Sequence, residues 1–374
     1  MTEFKKKEMA KTFSISLLSL CLLPHFFLAN CSIPLSPALY VFGDSLVDSG
    51  NNDFLNTTAK VNYKPYGIDF PTGPTGRFSN GNTFADFLAQ YLGLPFAPPY
   101  LGLSKAQKGK TITGMNYASG SAGILRKTGS AIGINIPLQI QLKLFQETVK
   151  HYLPKNFKTE EELLYYLSKS IFVVNIGSND YLNNYLQPAH YDSSRLYNPV
   201  QFAGILRKEL KKSLQLAIQL QDLYELGARK FLVFNLGPSG CTPFLVYSEK
   251  LASGCAENVN QLVSLYNEGL PDMLQELRTS LKGSNFVLAE FYEASYDLNQ
   301  NPSKYGFTSR SNCCVVNNAT AQCAHGVQPC LDRTTHIYWD AVHPTQAANF
   351  LFATGCFFYT AQCTPINIQQ LTQT

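Results

Sequence analysis

The sequence predicts an α/β fold, and two observations carry that reading. Five short apolar runs, rich in β-branched and aromatic residues, each end at a turn and are followed by a helical stretch. Their hydrophobic residues are consecutive rather than alternate, which suits strands buried on both faces. Between the third and fourth runs, Val200 to Leu226 carries Phe202, Leu206, Leu210, Leu214, Ala217 and Leu220 at three- and four-residue steps. That spacing puts them on one side of a helix. Repetition of strand, helix and strand points to a parallel sheet covered on both sides, within a single domain. At 374 residues, 45% hydrophobic and 15% charged, the chain has material for a large core and no sign of bulk disorder.

The first thirty residues precede that pattern. Lys5, Lys6, Lys7 and Lys11 form a basic start, and Phe13 to Leu28 is mainly apolar. Ser14, Ser16, Ser19, Pro24 and His25 interrupt the run, which falls short of the roughly 20 unbroken apolar residues of a membrane anchor. Residues 1–30 therefore read as a secretory signal cleaved between Ala29 and Ser36, leaving residues 31–374 as one secreted, extracellular domain without a stable membrane anchor. The five runs then follow in order. Ala38 to Phe42 ends at Gly43, and Ile112 to Tyr117 ends near Ser119-Gly120. Ile171 to Ile176 ends at Gly177, Phe231 to Phe234 at Asn235-Leu236-Gly237, and Phe286 to Leu288 near Glu290. In open parallel sheets ligands bind beyond the carboxyl ends of the strands, so the residues just after each run are the ones to inspect.

Charge excludes some functions. The formal net charge is +4, and removal of four lysines and two acids with residues 1–30 leaves +2. So mild a balance gives no electrostatic case for nucleic acid. The cluster Arg207-Lys208-Glu209-Leu210-Lys211-Lys212 reads as the wet face of a helix, and Glu161-Glu162 as surface. Beyond Cys21 and Cys31, eight cysteines stand in the C-terminal half, as expected of disulfides formed on export. The expected pairs are Cys241 with Cys255 and Cys356 with Cys363, with Cys313, Cys314, Cys323 and Cys330 paired among themselves. Zinc is the alternative, but no C-x₂-C pair is present, and no metal is expected. Asn56-Thr57-Thr58 and Asn318-Ala319-Thr320 are glycosylation sequons, at Asn56 and Asn318.

Four segments carry residues suited to acyl transfer. Gly43-Asp44-Ser45-Leu46 follows the first run, Asn116 to Ile124 closes the second, and Gly177-Ser178-Asn179-Asp180 follows the third. Near the C-terminus stands Trp339-Asp340-Ala341-Val342-His343-Pro344. A serine hydroxyl is a weak nucleophile until a base takes its proton, and a carboxylate must hold that base in the right tautomer. Asp340 and His343, three residues apart, can share one side of a single turn. Attack puts negative charge on the former carbonyl oxygen, for which the amides of Ser45 and Gly120 and the side-chain amide of Asn179 can supply donors. Glycine suits the second position because backbone must come close to the substrate. Gly123 is the other glycine of that segment; the reading takes Gly120.

Each assignment has a plainer competitor. Asp44-Ser45 suits a helix cap, Asn179-Asp180 a turn, and Gly120 a tight bend. His343 competes with His151, His190, His325 and His336, but only it follows an aspartate at three residues and precedes a proline. Trp339, the single tryptophan, reads as core. Gly109-Lys110-Thr111 is similar to the end of a phosphate loop but lacks the glycine at position 104. Gly237-Pro238-Ser239 lacks the closing glycine of G-x-S-x-G, which counts against an α/β-hydrolase elbow.

The four segments, with Val47-Asp48-Ser49-Gly50-Asn51-Asn52 and Gly76-Arg77-Phe78-Ser79-Asn80-Gly81, resemble the GDSL esterase/lipase branch of the SGNH hydrolases, specifically its secreted plant members. The resemblance runs from Ala38 to the C-terminal helix. It implies a three-layer α/β/α sandwich with a five-stranded parallel sheet, like that of flavodoxin. It also implies Ser45 as nucleophile, Asp340 and His343 as the rest of the triad, Gly120 and Asn179 as oxyanion donors, and no cofactor. The expected activity is hydrolysis of lipid or other acyl esters through an acyl-serine. An acyltransferase on the same parts and a silent secreted binding protein are the alternatives. One departure is Gln346, where relatives commonly have an acid.

Overall fold

Four of the five apolar runs form parallel strands in the computed structural model, which describes residues 33–219 and 227–374. They are β1 (Leu39–Gly43), β2 (Ile171–Asn175), β3 (Lys230–Phe234) and β4 (Asn285–Ala289). The signal segment 1–30, Cys31, Leu220 and the side chain of Ala217 lie outside the described residues. All of β1, β2 and β3 is buried, because both faces of the sheet are covered.

Side chains alternate along each strand and feed two separate cores. Leu39, Val41, Val173, Leu232 and Val287 face one core, closed by α1 (Phe84–Leu92), α7 (Phe291–Gln300), α8 (Gln346–Phe358) and α9 (Ile368–Thr372). Tyr40, Phe42, Phe172, Val233 and Leu288 face the other. That side is closed by α2 (Leu138–Glu147), α3 (Glu160–Lys169), α4 (Pro199–Gln219), α5 (Glu257–Asn267) and α6 (Leu270–Ser280). Phe202, Leu206, Leu210 and Leu214 of α4 are buried there, the stripe that the spacing anticipated. On its wet face, Lys211 pairs with Glu276 and Lys212 with Glu209.

The sheet has five strands, but they are not the five expected, and not all are parallel. Its order is β1-β2-β3-β4-β7, where β7 (Cys363–Thr364) runs antiparallel to β4. A two-residue strand leaves no periodicity to read; Cys356–Cys363 turns the chain back from α8 to place it. The run at Ile112 to Tyr117 is instead a strand-like edge beside β1. Leu39 N–H donates to Thr113 O, Val41 N–H to Met115 O, and Tyr117 N–H to Val41 O, but only Val41 and Asn116 form a bridge. Gly114, at φ 101, bends this segment against β1, where a Cβ would stand 1.9 Å from Leu39 O. A small second sheet pairs β5 (Ser309–Asn312) with β6 (His336–Tyr338). The disulfides are Cys241–Cys255, Cys356–Cys363, Cys313–Cys330 and Cys314–Cys323, so the C-terminal group does pair within itself.

Candidate active site

The carboxyl end of β1 is locked before the chain turns. Gln141 from α2 accepts from Gly43 N–H at 2.8 Å and donates to Gly43 O at 2.7 Å. A Cβ on Gly43 would lie 2.4 Å from Asn175 O, so only glycine lets β1 and β2 close here. No helix follows for Asp44 to cap; its Oδ1 instead accepts from Leu46 N–H at 3.0 Å and closes a turn. The Ser45 hydroxyl lies 2.8 Å from His343 Nε2.

His343 arrives on a tight turn after β6. Trp339 N–H donates to His343 O at 2.8 Å, and Asp340 Oδ1 accepts from the amides of Val342 and His343 at 2.9 and 2.7 Å. The three-residue spacing thus becomes a turn closed on its own carboxylate, with His343 Nδ1 2.8 Å from Asp340 Oδ2. With Nδ1–H donating to Asp340, Nε2 is left to accept the Ser45 proton. Asp340 is fully buried. Burial alone would raise its pKa, but the His343 ring, the Tyr66 hydroxyl and the His343 amide outweigh that and hold the carboxyl below its usual value. Phe78 covers the imidazole, its ring 4.8 Å away.

Tyr66 was not legible as a site residue. Its hydroxyl donates to Asp340 Oδ2 at 2.6 Å and accepts from Cys323 N–H at 3.1 Å. Burial first, then the neighbouring Asp340 charge, push its phenol well above the usual value, so it is a fixed donor. Nothing in the spacing of Tyr66 and Asp340 links them; a tyrosine among the 21 of this chain carries no signal of its own.

On the opposite side, Asn179 stands in a short turn after β2. One N–H of its amide donates to Ala122 O at 3.0 Å, and its Oδ1 accepts from Asn183 Nδ2 at 2.6 Å, which leaves the second N–H for a ligand. Gly120, the expected backbone donor, lies between Asp48 and Phe78. Its N–H donates to Asp48 Oδ2 at 3.1 Å, and a Cβ there would stand 2.7 Å from the Phe78 ring. Gly120 is glycine so that Phe78 can pack beneath His343. Its neighbour Ser121, at φ 64, lines the cleft with Ser45, Asn179 and His343, and its N–H has no partner among the described residues. Gly123 lies farther back, packed on Thr128 and Asp180.

Carboxylates that do no chemistry hold these loops in place. Asp180 accepts from Ile124 N–H, Leu125 N–H and the Thr128 hydroxyl at 2.7, 3.0 and 2.6 Å, tying the segment after Gly120 to the end of β2. Asp48 accepts from Gly50, Asn51 and Gly120. Burial pushes the Asp48 carboxyl up to about 7 and that of Asp180 to about 6. Arg77 makes a buried two-pronged pair with Asp86 at 2.8 and 2.7 Å, beside the turn that carries Phe78. Gln346 accepts from Asn82 N–H at 3.2 Å, a task its carbonyl performs without an acid.

Of the competing histidines, His325 stacks on Tyr63, and His336 lies beside Cys330. The sulfurs of Cys313 and Cys330, which with His336 form a ligand-like cluster, are spent in a disulfide. Trp339 is fully buried and packs with Tyr66 and Phe78. Gly237, Pro238 and Ser239 are no nucleophile elbow, but they line a cleft beside Ser45. Asn56 and Asn318 are exposed. Among the described residues, no helix is long and apolar enough to cross a membrane.

Residues 39–354 match the family described as GDSL-like Lipase/Acylhydrolase. The chain is 43% identical to GDSL esterase/lipase 7 of Arabidopsis thaliana over 345 residues, covering 90% of this chain and 92% of the relative. Two further Arabidopsis thaliana proteins, each called a GDSL esterase/lipase, are 42% and 39% identical, covering 90% of this chain and 90% and 88% of their own lengths.

Proposed function

From the membership of this chain in the GDSL-like lipase/acylhydrolase family, we propose a secreted serine esterase that cleaves carboxylic esters through an acyl-serine intermediate. The observation that carries the reading is the continuous path from Ser45 Oγ through His343 to Asp340, with both links at 2.8 Å. Ser45 Oγ attacks the carbonyl carbon while its proton passes to His343 Nε2. Asp340 stays ionised and stabilises the imidazolium. The oxyanion is met by the Ser45 amide and the free N–H of Asn179; because Asp48 holds Gly120 N–H, the third donor is assigned to Ser121 N–H. Collapse breaks the bond to the alkoxy oxygen, which leaves with the His343 proton. Water, deprotonated by His343, then attacks the acyl-serine and releases the acid.

The pairing of segment 113–117 outside β1 supports a flavodoxin-like order for the parallel part of a three-layer sandwich. The clustering of Pro34–Thr374 into one unit supports a single domain after a signal of residues 1–30. Four disulfides and two exposed sequons support an extracellular location. The test is labelling with a fluorophosphonate and hydrolysis of p-nitrophenyl esters. Wild type is expected to label and turn over, and Ser45→Ala to do neither, with turnover at least about 10³-fold lower. Equal behaviour of the two proteins would refute the assignment.

A further inference from the structure

Two clefts, of about 680 and 1320 Å³, meet at Ser45, Asn179 and His343, and the disulfide-closed loop 318–322 bounds the wider. The three oxyanion donors assigned above are of two kinds. Those of Ser45 and Ser121 are backbone amides, which the chain itself holds in place. That of Asn179 is a side-chain amide, and it turns about its own terminal bond. A half-turn exchanges Nδ2 for Oδ1 and sets an acceptor where the oxyanion needs a donor. This donor therefore works only if something outside Asn179 decides which end faces the cleft.

Two neighbours decide it. Ala122 O is an acceptor only, so its 3.0 Å contact fixes Nδ2 on that side. Oδ1 then faces Asn183, whose Nδ2 donates to it at 2.6 Å. A flip would set two oxygens together at Ala122 and two N–H groups together at Asn183. Asn183 is itself held. The Thr128 hydroxyl accepts from Asn184 Nδ2 at 2.9 Å and donates to Asp180 Oδ1 at 2.6 Å, so it grips the segment on both sides of Asn183. Gly129 N–H donates to Asn183 O at 3.3 Å, and Asn183 leaves the helical region, at φ −113 and ψ 22, inside the turn Tyr181–Tyr185. Segment 180–184 and the loop 122–129, which supplies Ala122 O, thus form one bonded unit. The partners at the two ends of the Asn179 amide are tied to each other.

We infer that Asn183 is a positioning residue for the oxyanion hole, holding the Asn179 side chain with Nδ2 toward the acyl oxygen. This rests on the esterase reading above and deepens it. The ground-state carbonyl carries little charge and the tetrahedral intermediate a full one, so a turned amide is felt in kcat and little in KM. Asn183 also lines the wider cleft, so direct contact with the substrate is the competing role.

The experiment is a double-mutant cycle with p-nitrophenyl butyrate. Asn183→Asp keeps the shape of the side chain but replaces the donor with a carboxylate, which draws Asn179 Nδ2 toward itself and turns Oδ1 to the cleft. Its kcat is expected to fall about 10²-fold with KM within about threefold. In an Asn179→Ala background the same change should alter kcat by less than about threefold, because no amide is left to orient. Asn183→Leu removes the donor without adding charge; it should cost about three- to tenfold in wild type and nothing further in Asn179→Ala. An equal loss in both backgrounds means that Asn183 touches substrate or acts through charge, and overturns the inference. So does a wild-type kcat in Asn183→Asp. Melting temperature is read for every variant, and where Asn183→Asp fails to fold, Asn183→Leu completes the cycle under the same criterion. Fluorophosphonate labelling separates the two readings. A wild type that does not label overturns the esterase reading, whereas one that labels while the Asn179 and Asn183 losses multiply overturns this inference alone.

Discussion

Replacing Tyr66 with phenylalanine removes one hydroxyl and little else. The ring keeps its edge contacts with Tyr63, Phe78 and Trp339, at 5.4, 6.5 and 6.4 Å. What is lost is a 2.6 Å hydrogen bond to a buried carboxylate and the acceptor for Cys323 N–H. A bond to a charged group is worth about 1.5–3 kcal/mol, and its removal from the ionised form raises the Asp340 pKa. The sign of the pH effect follows. Asp340 sits below its unfolded value of 3.8, so its stabilising contribution is full above that value and is lost as pH falls through the folded pKa. The deficit of Tyr66→Phe is therefore largest at neutral pH and shrinks below about pH 4. In catalysis, a carboxylate with one donor fewer pulls harder on the His343 proton, so the acidic limb of kcat/KM moves to higher pH. The assays are urea denaturation at pH 7 and at pH 3.5, and a pH profile with p-nitrophenyl butyrate. A variant whose stability and acidic limb both match wild type would show that the Tyr66 bond carries no energy, and would refute the reasoning.

Further outcomes follow from other residues. Asn179→Ala should lower kcat by about 10²–10³-fold with little change in KM, since its free N–H serves the oxyanion; stopped-flow or steady-state turnover decides. Ser121→Gly should keep turnover within about threefold and unfold at a slightly higher temperature, because a left-handed backbone costs a non-glycine residue about 1–2 kcal/mol and only the amide is used. A larger loss would mean that the Ser121 hydroxyl takes part. Asp44→Asn tests a buried carboxyl whose Oδ2 has no partner among the described residues and which burial pushes up to about 7. A raised acid stabilises the fold below its unfolded value and loses that contribution as pH rises through the folded pKa. The variant should therefore gain on wild type between pH 5 and 8, by on the order of 4 kcal/mol at most. Thermal melts at the two pH values measure it. Cys314→Ser/Cys323→Ser should cost about 2–4 kcal/mol of stability, read by urea denaturation.

Short-range chemistry explains what could be read in advance. Consecutive apolar residues in β1, β2, β3 and β4 announce strands buried on both faces, and the stripe from Phe202 to Leu214 announces the helix between β2 and β3. Asp340 and His343 were readable as a pair because three residues span one turn. Ser45 and Asn179 were readable because each follows a strand, where a parallel sheet gathers its ligands. The disulfides within 313–330 followed from the crowding of four cysteines.

Distance along the chain hid the rest. The last sheet strand, Cys363–Thr364, has two residues and no pattern, and the edge at 113–117 is bent by a glycine whose need for positive φ exists only against β1. Gly120 could be picked as a site glycine from its neighbours, but which amide is free depends on Asp48, 72 residues away. Tyr66 reaches Asp340 across 274 residues, and the two clefts are bounded by segments that meet only once the sheet and the disulfide loop have closed. Residue order determined which groups could react, because backbone periodicity and turn spacing are local. Tertiary structure decided which N–H groups stay unspent and what the hydroxyl of Ser45 faces, because hydrogen bonds are consumed wherever packing brings partners together.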